Sequence, residues 1–441
     1  MFYHLYNILI TFLLILASPY FLFRSLLQGK FRKALPQRMG FFESLSFDRP
    51  IWVHAASVGE VFCSLPLLKR IRKEFPHSKI VLTTVTSTGN EAAKTRAPEA
   101  DRVLFLPVDH PLILRRFIEK IQPGILLIAE TELWPNLLRS CGKKRIPVVL
   151  FNGRISQKSF QRYFRFKFFF EECLRNISLF LMQTEEDRKR IVEIGGESQK
   201  TRTTGNLKFD QTFPSITQEK RTEMANALGL LGTEKILIAG STHAGEEEIL
   251  ISLYKELKGG TSPLVFVLAP RHLERLEEVE GILRKASIPW SRKTALSSGA
   301  SQISGRASPG VILLDTMGEL MGIYSLATVV FVGGSLVPIG GHNPLEPLFF
   351  RKCVLFGPHM FNFHEISHRL IEAGGAIQVS GKEGLISQLK RLLMDEAARE
   401  EVGKKGHQFL QKHQGATERM FEEIRPFLDK MRNGERGIRV K

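Results

Sequence analysis

The stretch from Ile51 to Thr84 indicates the fold most directly, and its sequence is IWVHAASVGEVFCSLPLLKRIRKEFPHSKIVLTT. It begins and ends with short apolar runs, Ile51–His54 and Ile80–Thr84, that are typical of buried strands. Between them, Leu65–Glu74 has the spacing of an amphipathic helix. This order predicts a β-α-β unit, with the two strands parallel in one sheet.

The same alternation of strands and helices continues outward and occurs twice. Before residue 210 the further predicted strands are Val103–Leu106, Ile125–Ile128, Val148–Phe151 and Leu179–Gln183. After it they are Ile236–Ala239, Leu264–Leu268, Val311–Leu314, Val329–Val332 and Cys353–Phe356. The sequence therefore predicts two α/β domains, each a parallel sheet with helices on both faces. Asp210–Ile216 is the predicted hinge, and the Ser- and Gly-rich stretch Ser297–Pro309 is a predicted exposed loop.

The N-terminus is apolar and uncharged. The first 23 residues contain no Lys, Arg, Asp or Glu, and five cations follow: Arg24, Lys30, Arg32, Lys33 and Arg38. A cleaved signal peptide would carry its charge before the apolar run. Because positive charge stays cytoplasmic, everything after Arg24 is expected inside the cell. The run Ile8–Phe23 is marginal for a full span, so a spanning anchor, an interfacial helix and a buried core helix all remain open.

The charge balance predicts an anionic partner. The formal net charge is +17 and the sequence pI is about 9.8, which favours attraction to nucleic acid, an anionic lipid surface or a phosphorylated substrate. The alternative is a charge that only keeps the protein soluble. Four widely spaced cysteines, without a Cys-x-x-Cys pair, indicate neither a zinc site nor a disulfide framework.

Residues 160–170, FQRYFRFKFFF, interleave aromatic side chains with three cations. Such a stretch can wrap nucleic acid, dip into a membrane interface or pack as a helix whose long cations extend to water. The sequence leaves these alternatives open.

Two loops of the first half carry carboxylates directly after predicted strands, where ligands bind in α/β sheets. Glu60, after Ile51–His54, is placed to act as a general base on a hydroxyl group. It is equally placed as the partner of Ser57 in a capping box. After Ile125–Ile128, Glu130 and Glu132 can hold a cationic group or orient a lysine, although a capping role is again the alternative.

The second half has candidate anion-binding loops. Arg271 follows a predicted strand and can meet a phosphate or carboxylate through two hydrogen bonds. The glycines of Gly333–Gly341 precede a predicted helix, with Asn343 as N-cap, Pro344 as first helical residue and Glu346 as reciprocal partner. Glycines before a helix predict a phosphate cradle. Because neither the Walker A nor the dinucleotide signature is present, this cradle in the second of two Rossmann-like halves favours a GT-B sugar transferase.

Seven motifs in this order resemble one family. They are Ser57-Val58-Gly59-Glu60, Thr84-x-Thr86-x-Thr88-Gly89, Glu130-Thr131-Glu132-Leu133-Trp134-Pro135-Asn136, Gly205-Asn206-Leu207-Lys208-Phe209-Asp210, Pro270-Arg271-His272, Asp315-Thr316-Met317-Gly318-Glu319-Leu320 and Gly340-Gly341-His342-Asn343-Pro344-Leu345-Glu346. From the N-terminal anchor to near residue 425, the chain resembles the 3-deoxy-D-manno-octulosonic acid (Kdo) transferases. Asn206 stands where the family often has Ser, while Lys208 is retained.

The resemblance implies a GT-B fold with two Rossmann-like domains facing a cleft, CMP-Kdo as donor and a lipid IVA-type acceptor. It implies inverting transfer in lipopolysaccharide synthesis, at the cytoplasmic face of a Gram-negative inner membrane. Glu60 would be the base, and Glu130 and Lys208 would stabilise the transition state. The implied CMP-binding residues are Pro270, Arg271, Met317, Gly318, Glu319, Asn343, Pro344, Leu345 and Glu346.

On this interpretation the chain divides into four parts. These are an anchoring helix (1–30), an acceptor-binding domain (31–212), a CMP-sugar-binding domain (213–425) and a basic tail (426–441). The expected partners are CMP-Kdo, the lipid acceptor and an anionic inner membrane, with no metal, cofactor or nucleic acid. The alternatives are another GT-B transferase, a sugar-nucleotide epimerase, or a membrane-associated nucleic-acid-binding protein.

Overall fold

The computed structural model describes residues 2–27, 29–211, 216–259, 263–297 and 310–434, the side chains of 21–22 and 24–33 excepted. The chain forms two compact units: Met1–Gln211 with His413–Lys441, and Thr212–Lys412. The change from the first unit to the second falls inside the predicted hinge, of which residues 212–215 lie outside the described residues. Residues 298–309 of the predicted loop also lie outside them.

The first unit contains a parallel sheet with seven described strands in the spatial order β3-β2-β1-β4-β5-β6-β7. In chain order they are β1 (Ile51–His54), β2 (Ile80–Thr84), β3 (Arg102–Phe105), β4 (Ile125–Ala129), β5 (Val148–Gly153), β6 (Leu179–Met182) and β7 (Thr201–Thr203). Every residue of β1, β2 and β4 is buried, as expected for apolar strands covered on both faces. The strand order reverses between β1 and β4, and ligands of such sheets bind beside that point.

Two helices, α1 (Phe2–Leu27) and α2 (Gly29–Arg38), precede the first strand. The helices that connect the strands are α3 (Val58–Glu74), α4 (Ser87–Arg96), α5 (Pro111–Ile121), α6 (Pro135–Lys143), α7 (Gln157–Arg165), α8 (Lys167–Leu174) and α9 (Glu185–Glu193). Prolines open α5 and α6, where a missing N–H group costs nothing. The Ser57 hydroxyl accepts the N–H of Glu60 at the start of α3. This cap sets the direction in which α3 leaves the sheet.

The second unit repeats the design, with described strands in the order β10-β11-β9-β8-β12-β13-β14. They are β8 (Lys235–Thr242), β9 (Leu264–Pro270), β10 (Trp290–Arg292), β11 (Val311–Leu313), β12 (Val329–Val332), β13 (Cys353–Phe356) and β14 (Ile377–Gln378). The helices are α10 (Gln218–Ala227), α11 (Glu246–Leu257), α12 (Leu276–Lys285), α13 (Lys293–Ser297), α14 (Leu320–Tyr324), α15 (Leu345–Phe349), α16 (His364–Glu372), α17 (Gly381–Met394) and α18 (Glu396–His413). Here the strand order reverses between β8 and β12.

The last described helix, α19 (Ala416–Arg432), belongs to the first unit. Its apolar face, including Phe421 and Leu428, is buried in the core that contains Val61 and Leu68 of α3. The predicted end of the second domain at residue 425 is therefore wrong, and so is the predicted start of the 426–441 tail at residue 426. Phe427, Leu428 and Met431 are apolar and their burial stabilises the first unit, whereas residues 435–441 lie outside the described residues.

Helix α1 is fixed at its start and exposed along its length. Tyr3 is buried, and the Tyr6 hydroxyl donates to Asp109 at 2.9 Å. The apolar side chains that follow are exposed to solvent: Ile8, Leu9, Phe12, Leu13, Ile15, Leu16, Tyr20 and Phe23. Because these side chains do not pack against the protein, the buried-core-helix alternative is wrong. By length and composition Phe2–Tyr20 can cross a membrane.

Candidate active site

Glu60 lies in the first turn of α3, directly after β1 and beside the reversal of the first sheet. Its carboxylate accepts the Ala56 N–H at 2.8 Å and the Ser57 hydroxyl at 2.9 Å. Burial raises the pKa of Glu60 to about 7, and the charges of Glu130 and Glu132 add to that rise. The capping contacts and a basicity matched to neutral pH thus occur together in one side chain.

Glu130 begins the loop after β4, on the other side of the reversal. Its backbone has φ of +55°, a left-handed conformation that is uncommon for a residue other than glycine. The Glu130 N–H donates to the carbonyl of Phe151 at 2.9 Å, which ties the loop to β5. Such strained positions cluster at functional sites. Burial also raises the pKa of Glu132, two residues on.

Lys208 lies in a short 3₁₀ turn, Leu207–Asp210, that packs beside α3. Asn206 caps this turn, because its side-chain oxygen accepts the Lys208 N–H at 2.9 Å. The Leu207 N–H donates to the Asn152 side chain at 3.0 Å. The departure from Ser at position 206 therefore leaves a working cap.

The three predicted catalytic residues converge on α3. Burial raises the pKa of the Cys63 thiol to about 12, while Lys208 lowers it and Glu130 and Glu60 raise it. One buried sulfur, a single turn after Glu60, is thus close enough to sense all three charges. The first unit therefore combines a carboxylate of near-neutral pKa, a second carboxylate and a cation, which are groups suited to moving a proton and stabilising charge.

In the second unit Arg271 follows β9, where its N–H donates to the Thr242 carbonyl at 3.0 Å. Its side chain is exposed, and its charge lowers the pKa values of both His342 and Glu346. The structure thus brings the predicted cation to the predicted helix start. Burial nevertheless raises the pKa of Glu346 to about 7.

The helix start follows the predicted arrangement of Asn343 and Pro344. Helix α15 is Leu345–Phe349, and Pro344 before it already has helical backbone angles, φ of −79° and ψ of −9°, as expected for a first helical residue. The Asn343 side-chain oxygen accepts the Leu345 N–H at 3.1 Å, and its amide donates to Glu346 at 3.3 Å. Glu346 thus contacts the side chain of Asn343, the residue with which it was predicted to pair.

The predicted phosphate cradle is also wrong in its details. Glu246, fully buried at the start of α11, accepts the N–H groups of Gly334, Ser335 and Leu336 at 2.7 to 2.9 Å. It accepts the His243 N–H at 3.0 Å as well. The N–H groups of Gly341 and His342 donate to carbonyls of the same loop. A carboxylate of the protein thus occupies the donors that the glycine pattern assigned to a phosphate.

The Met317-Gly318-Glu319 turn lies beyond β11, at the same carboxyl edge. Gly318 has φ of +86°, and a Cβ atom there would meet nothing within 4 Å, so the turn faces open space. Met317 is exposed. Glu319 accepts from Lys293 at 2.9 Å and from Thr316, which fixes the turn on the β10 side of the sheet.

Three histidines were not predicted as site residues. The Nε2 atoms of His243 and His342 are 2.8 Å apart, and the ring of His272 meets that of His243 at 5.5 Å. Each follows a strand end, so the carboxyl-edge rule could have found them once the strand order was known. Within the described ranges, no group of three or more His, Cys, Asp or Glu side chains is arranged to hold a metal ion.

Two Rossmann-like units of this kind define the GT-B fold. A glycosyltransferase from Rickettsia africae has a TM-score of 0.55 at 10% identity, covering 88% of this chain and all of that one. A UDP-GlcNAc 2-epimerase from Neisseria meningitidis has a TM-score of 0.56 at 14% identity, covering 86% and all. The class is therefore a GT-B protein, and the fold alone does not separate transferase from epimerase.

Comparison with sequence relatives distinguishes the transferase from the epimerase. Residues 33–211 match the family model described as 3-deoxy-D-manno-octulosonic-acid transferase (kdotransferase). A 3-deoxy-D-manno-octulosonic acid transferase from Haemophilus influenzae is 36% identical over 95% of this chain and 98% of its own. One from Chlamydophila psittaci is 30% identical over 96% of each. The chain belongs to the 3-deoxy-D-manno-octulosonic acid transferase family, a family of glycosyltransferases.

Proposed function

We propose that this protein is an inverting glycosyltransferase that moves Kdo from CMP-Kdo to a lipid IVA-type precursor in lipopolysaccharide synthesis. Family membership supports the transferred sugar. The observation that carries the mechanism is Glu60, whose pKa of about 7 matches that of a general base at neutral pH.

In the proposed reaction an acceptor hydroxyl gives its proton to Glu60 as its oxygen bonds to the anomeric carbon of Kdo. The bond from that carbon to the CMP phosphate breaks, and CMP leaves with the electron pair. Glu130 offsets positive charge on an oxocarbenium-like transition state, as carboxylates do in glycoside hydrolysis. Lys208 stabilises negative charge near the reacting oxygen. The first unit thus supplies the acid–base chemistry.

The second unit binds the donor in this proposal. Since the glycine-loop N–H groups are occupied by Glu246, positive charge for the phosphate comes chiefly from the exposed Arg271. Pro270, the open Met317–Glu319 turn and the Asn343–Glu346 segment line the same carboxyl edge and complete the proposed CMP site. The proposal needs neither metal nor cofactor, and that point stays a prediction.

The direct test incubates the full-length protein in detergent with CMP-Kdo and lipid IVA and reads product masses. The expected product is lipid IVA carrying one or more Kdo residues, together with CMP. Transfer of another sugar from a different nucleotide, with none from CMP-Kdo, would favour the alternative of another GT-B transferase. Product masses also give the number of Kdo residues added.

Arg271→Ala is expected to weaken CMP binding by about 10- to 100-fold, the usual loss for a hydrogen bond to a charged group. Calorimetry with CMP measures it. Arg284→Ala is the matched control, because that guanidinium is also exposed, at 68% of its side chain, and lies on α12 of the same unit. Equal CMP affinity in the wild type and Arg271→Ala would remove Arg271 from the donor site.

A second exposed surface, next to α1, is the other part of the molecule that we propose contacts the membrane. Phe164 of α7, Phe166 between the two helices and Phe168 of α8 are exposed, and the Phe168 ring meets Phe2 with centroids 5.3 Å apart. The three cations of residues 160–170 are exposed among them. Phe160, Tyr163 and Phe169 pack against the core instead, so the packing alternative accounts for only part of this stretch. We call the three exposed phenylalanines with Arg162, Arg165 and Lys167 the aromatic-basic surface.

The start of α1 is joined to the loop region that carries Glu130. The Asn136 amide donates to Asn7 at 2.8 Å, and Asp109 accepts from both Tyr6 and the Asn136 N–H. A membrane that holds α1 therefore holds the first sheet's active edge near its surface. Because cations follow the apolar run, the proposal puts this edge on the cytoplasmic face of the inner membrane.

The charges of the aromatic-basic surface are expected to bind anionic lipid. Changing Arg162, Arg165 and Lys167 to Gln should raise the acceptor KM by about tenfold or more and leave the donor KM unchanged, since each cation near an anionic leaflet contributes about 1 kcal/mol. Initial rates with lipid IVA in mixed vesicles measure both constants. Exposed cations elsewhere on the first unit, changed to Gln together, are the control: Lys79, Arg115 and Arg432. Equal acceptor KM values for the two triple variants would contradict the surface.

A further inference from the structure

The histidine pair of the second unit has a defined geometry that the proposed function leaves unused. His243 follows β8 and His342 lies in the loop after β12, so the two flank the reversal of strand order. Their ring planes are 5° apart, with centroids 5.1 Å apart and Nε2 atoms 2.8 Å apart. This is the arrangement of two imidazoles hydrogen-bonded edge to edge in nearly one plane.

Gly334 forms the surface on which both rings rest. A Cβ atom at this position would lie 3.1 Å from the His342 ring and 3.4 Å from the His243 ring, and φ is +67°. Glu246 fixes Gly334 from the other side by accepting its N–H at 2.7 Å. The pair is thus held by a buried carboxylate, through the loop, and remains partly exposed to solvent.

Charged groups approach the pair from several elements. Arg271, His272 and Arg275 come from the segment after β9 and lower the pKa of His243 after burial itself. Arg275 is neutralised by Glu247 and Glu278, each at 2.9 Å. On the acidic side, Glu246 is engaged by backbone N–H groups and Glu346 by Asn343. Among the described ion pairs of this cluster, Arg275 and His272 have carboxylate partners, so Arg271 is the cation beside the histidines that is available to an anion.

The surroundings favour the neutral form of both rings when no anion is bound. Burial lowers the pKa of His342 to about 4, and burial also lowers that of His243. In a neutral pair one Nε2–H donates to the other Nε2, which leaves one Nδ1 without a proton. A proton added at that Nδ1 keeps the shared bond and gives both rings an outward Nδ1–H donor. A second proton would place one on each facing Nε2 and break the bond.

We propose that His243 and His342, beside Arg271, form the subsite for the donor's phosphate, and that the pair takes up one proton when a dianionic phosphate binds. The inference rests on the proposed function, because it assigns the phosphate of the CMP site. A nearby dianion opposes the burial and the positive charge that disfavour protonated rings, since an opposite charge within a few ångströms favours the charged imidazole. His243, which burial affects less strongly than His342, is the ring that takes the proton.

The proton uptake gives this subsite a preference for the product state. The phosphate of CMP-Kdo is a diester with one negative charge, whereas the phosphate of released CMP is mostly dianionic at pH 7. A pair that gains a proton as the second charge develops stabilises the leaving group more than the bound donor. That difference is what accelerates bond breaking.

The test is calorimetry of CMP binding at pH 7 in buffers of different ionisation enthalpy. The slope of the observed enthalpy against the buffer's enthalpy counts protons. We expect the wild type to take up about one-half to one proton per CMP and none with cytidine, which lacks the phosphate. His243→Asn and His342→Asn should lose the uptake and bind CMP about tenfold more weakly. His364→Asn, an exposed histidine of the same unit, should match the wild type.

The outcomes separate this inference from the proposed function. A wild-type slope of zero with normal CMP binding overturns the histidine subsite and leaves the transferase proposal intact. The same uptake with cytidine, or unchanged uptake in both Asn variants, also overturns it. Absence of CMP binding by the folded wild type contradicts the proposed function itself. Because the wild-type slope needs no variant, a misfolded substitution does not block the test.

Discussion

Glu60→Gln is expected to lower turnover by about 10²- to 10⁴-fold while CMP affinity stays unchanged, because the amide cannot accept the acceptor's proton. It keeps the shape of the carboxylate, and its oxygen can still accept the Ala56 N–H. Initial rates with CMP-Kdo and lipid IVA give turnover, and calorimetry gives CMP affinity. Glu193→Gln, on the exposed side of α9, is the control.

Stability separates the catalytic role of Glu60 from the capping role. The pKa of Glu60 rises from its ordinary value of 4.5 to about 7 in the folded protein. The folded state therefore holds the proton more tightly, and the stability this provides is complete below about pH 4.5 and lost as pH rises through 7. At pH 8 the neutral Gln variant should be at least as stable as the wild type. A variant with full activity and a lower Tm would leave Glu60 as a cap alone.

The dependence of kcat/KM on pH tests whether Glu130 acts on Glu60. Because only ionised Glu60 accepts a proton, kcat/KM should fall about tenfold per pH unit below pH 7. After burial, the charge of Glu130 contributes most to the raised pKa. Glu130→Gln should therefore move this fall to lower pH, as well as reduce the rate. A fall that stays at the same pH would show that Glu130 does not act on Glu60.

A large loss of stability is also expected when the buried carboxylate of Glu246 is replaced. Glu246→Gln is expected to destabilise the second unit by about 2 to 4 kcal/mol, because an NH₂ group would face backbone N–H donors that then lack an acceptor. Hydrogen exchange followed by mass spectrometry is the suitable measurement, since a two-unit chain does not unfold in one step. Peptides covering residues 333–336 should lose protection.

Glu248→Gln is the matched control, as that carboxylate lies in the same first turn of α11 and is exposed. It should change stability by no more than about 0.5 kcal/mol. Since the loop held by Glu246 carries His342 and Asn343, CMP binding should weaken with Glu246→Gln and not with Glu248→Gln. Unchanged protection of residues 333–336 would show that the four hydrogen bonds contribute little.

Much of the fold could be predicted because its strands are buried on both faces. Runs such as Ile125–Ile128 and Val329–Val332 are almost purely apolar, and each predicted strand forms. The strands β7, β10 and β14 were missed, since they contain only two or three residues at or near the edges of their sheets. The spacing of apolar residues in α19 predicts a helix. The sequence around α19 does not show against which of the two units its apolar face packs.

The site was predicted less completely, for a related physical reason. The geometry of a short motif such as Ser57–Glu60 could be predicted, because the N-cap residue and its partner are only three residues apart in sequence. The acceptor for the N–H groups of Gly334 and Ser335 is Glu246, 88 and 89 residues away in sequence. The His243–His342 bond spans 99 residues. Which of these distant residues meet depends on the order of the strands in the sheet. A local sequence pattern does not predict that order.

The return of α19 to the first unit has a consequence for synthesis on the ribosome. The second unit is contained in one continuous segment, Thr212–Lys412, so all of it can leave the exit tunnel before the first unit is complete. The first unit, although its strands are translated earliest, lacks the apolar face of Phe421 and Leu428 until α19 emerges. A nascent chain thus carries a first sheet that lacks one of its covering helices, with α1 already available to a membrane, while the second unit folds. Emergence of α19, and not the appearance of Glu60, Glu130 and Lys208, is therefore the event that completes the first unit.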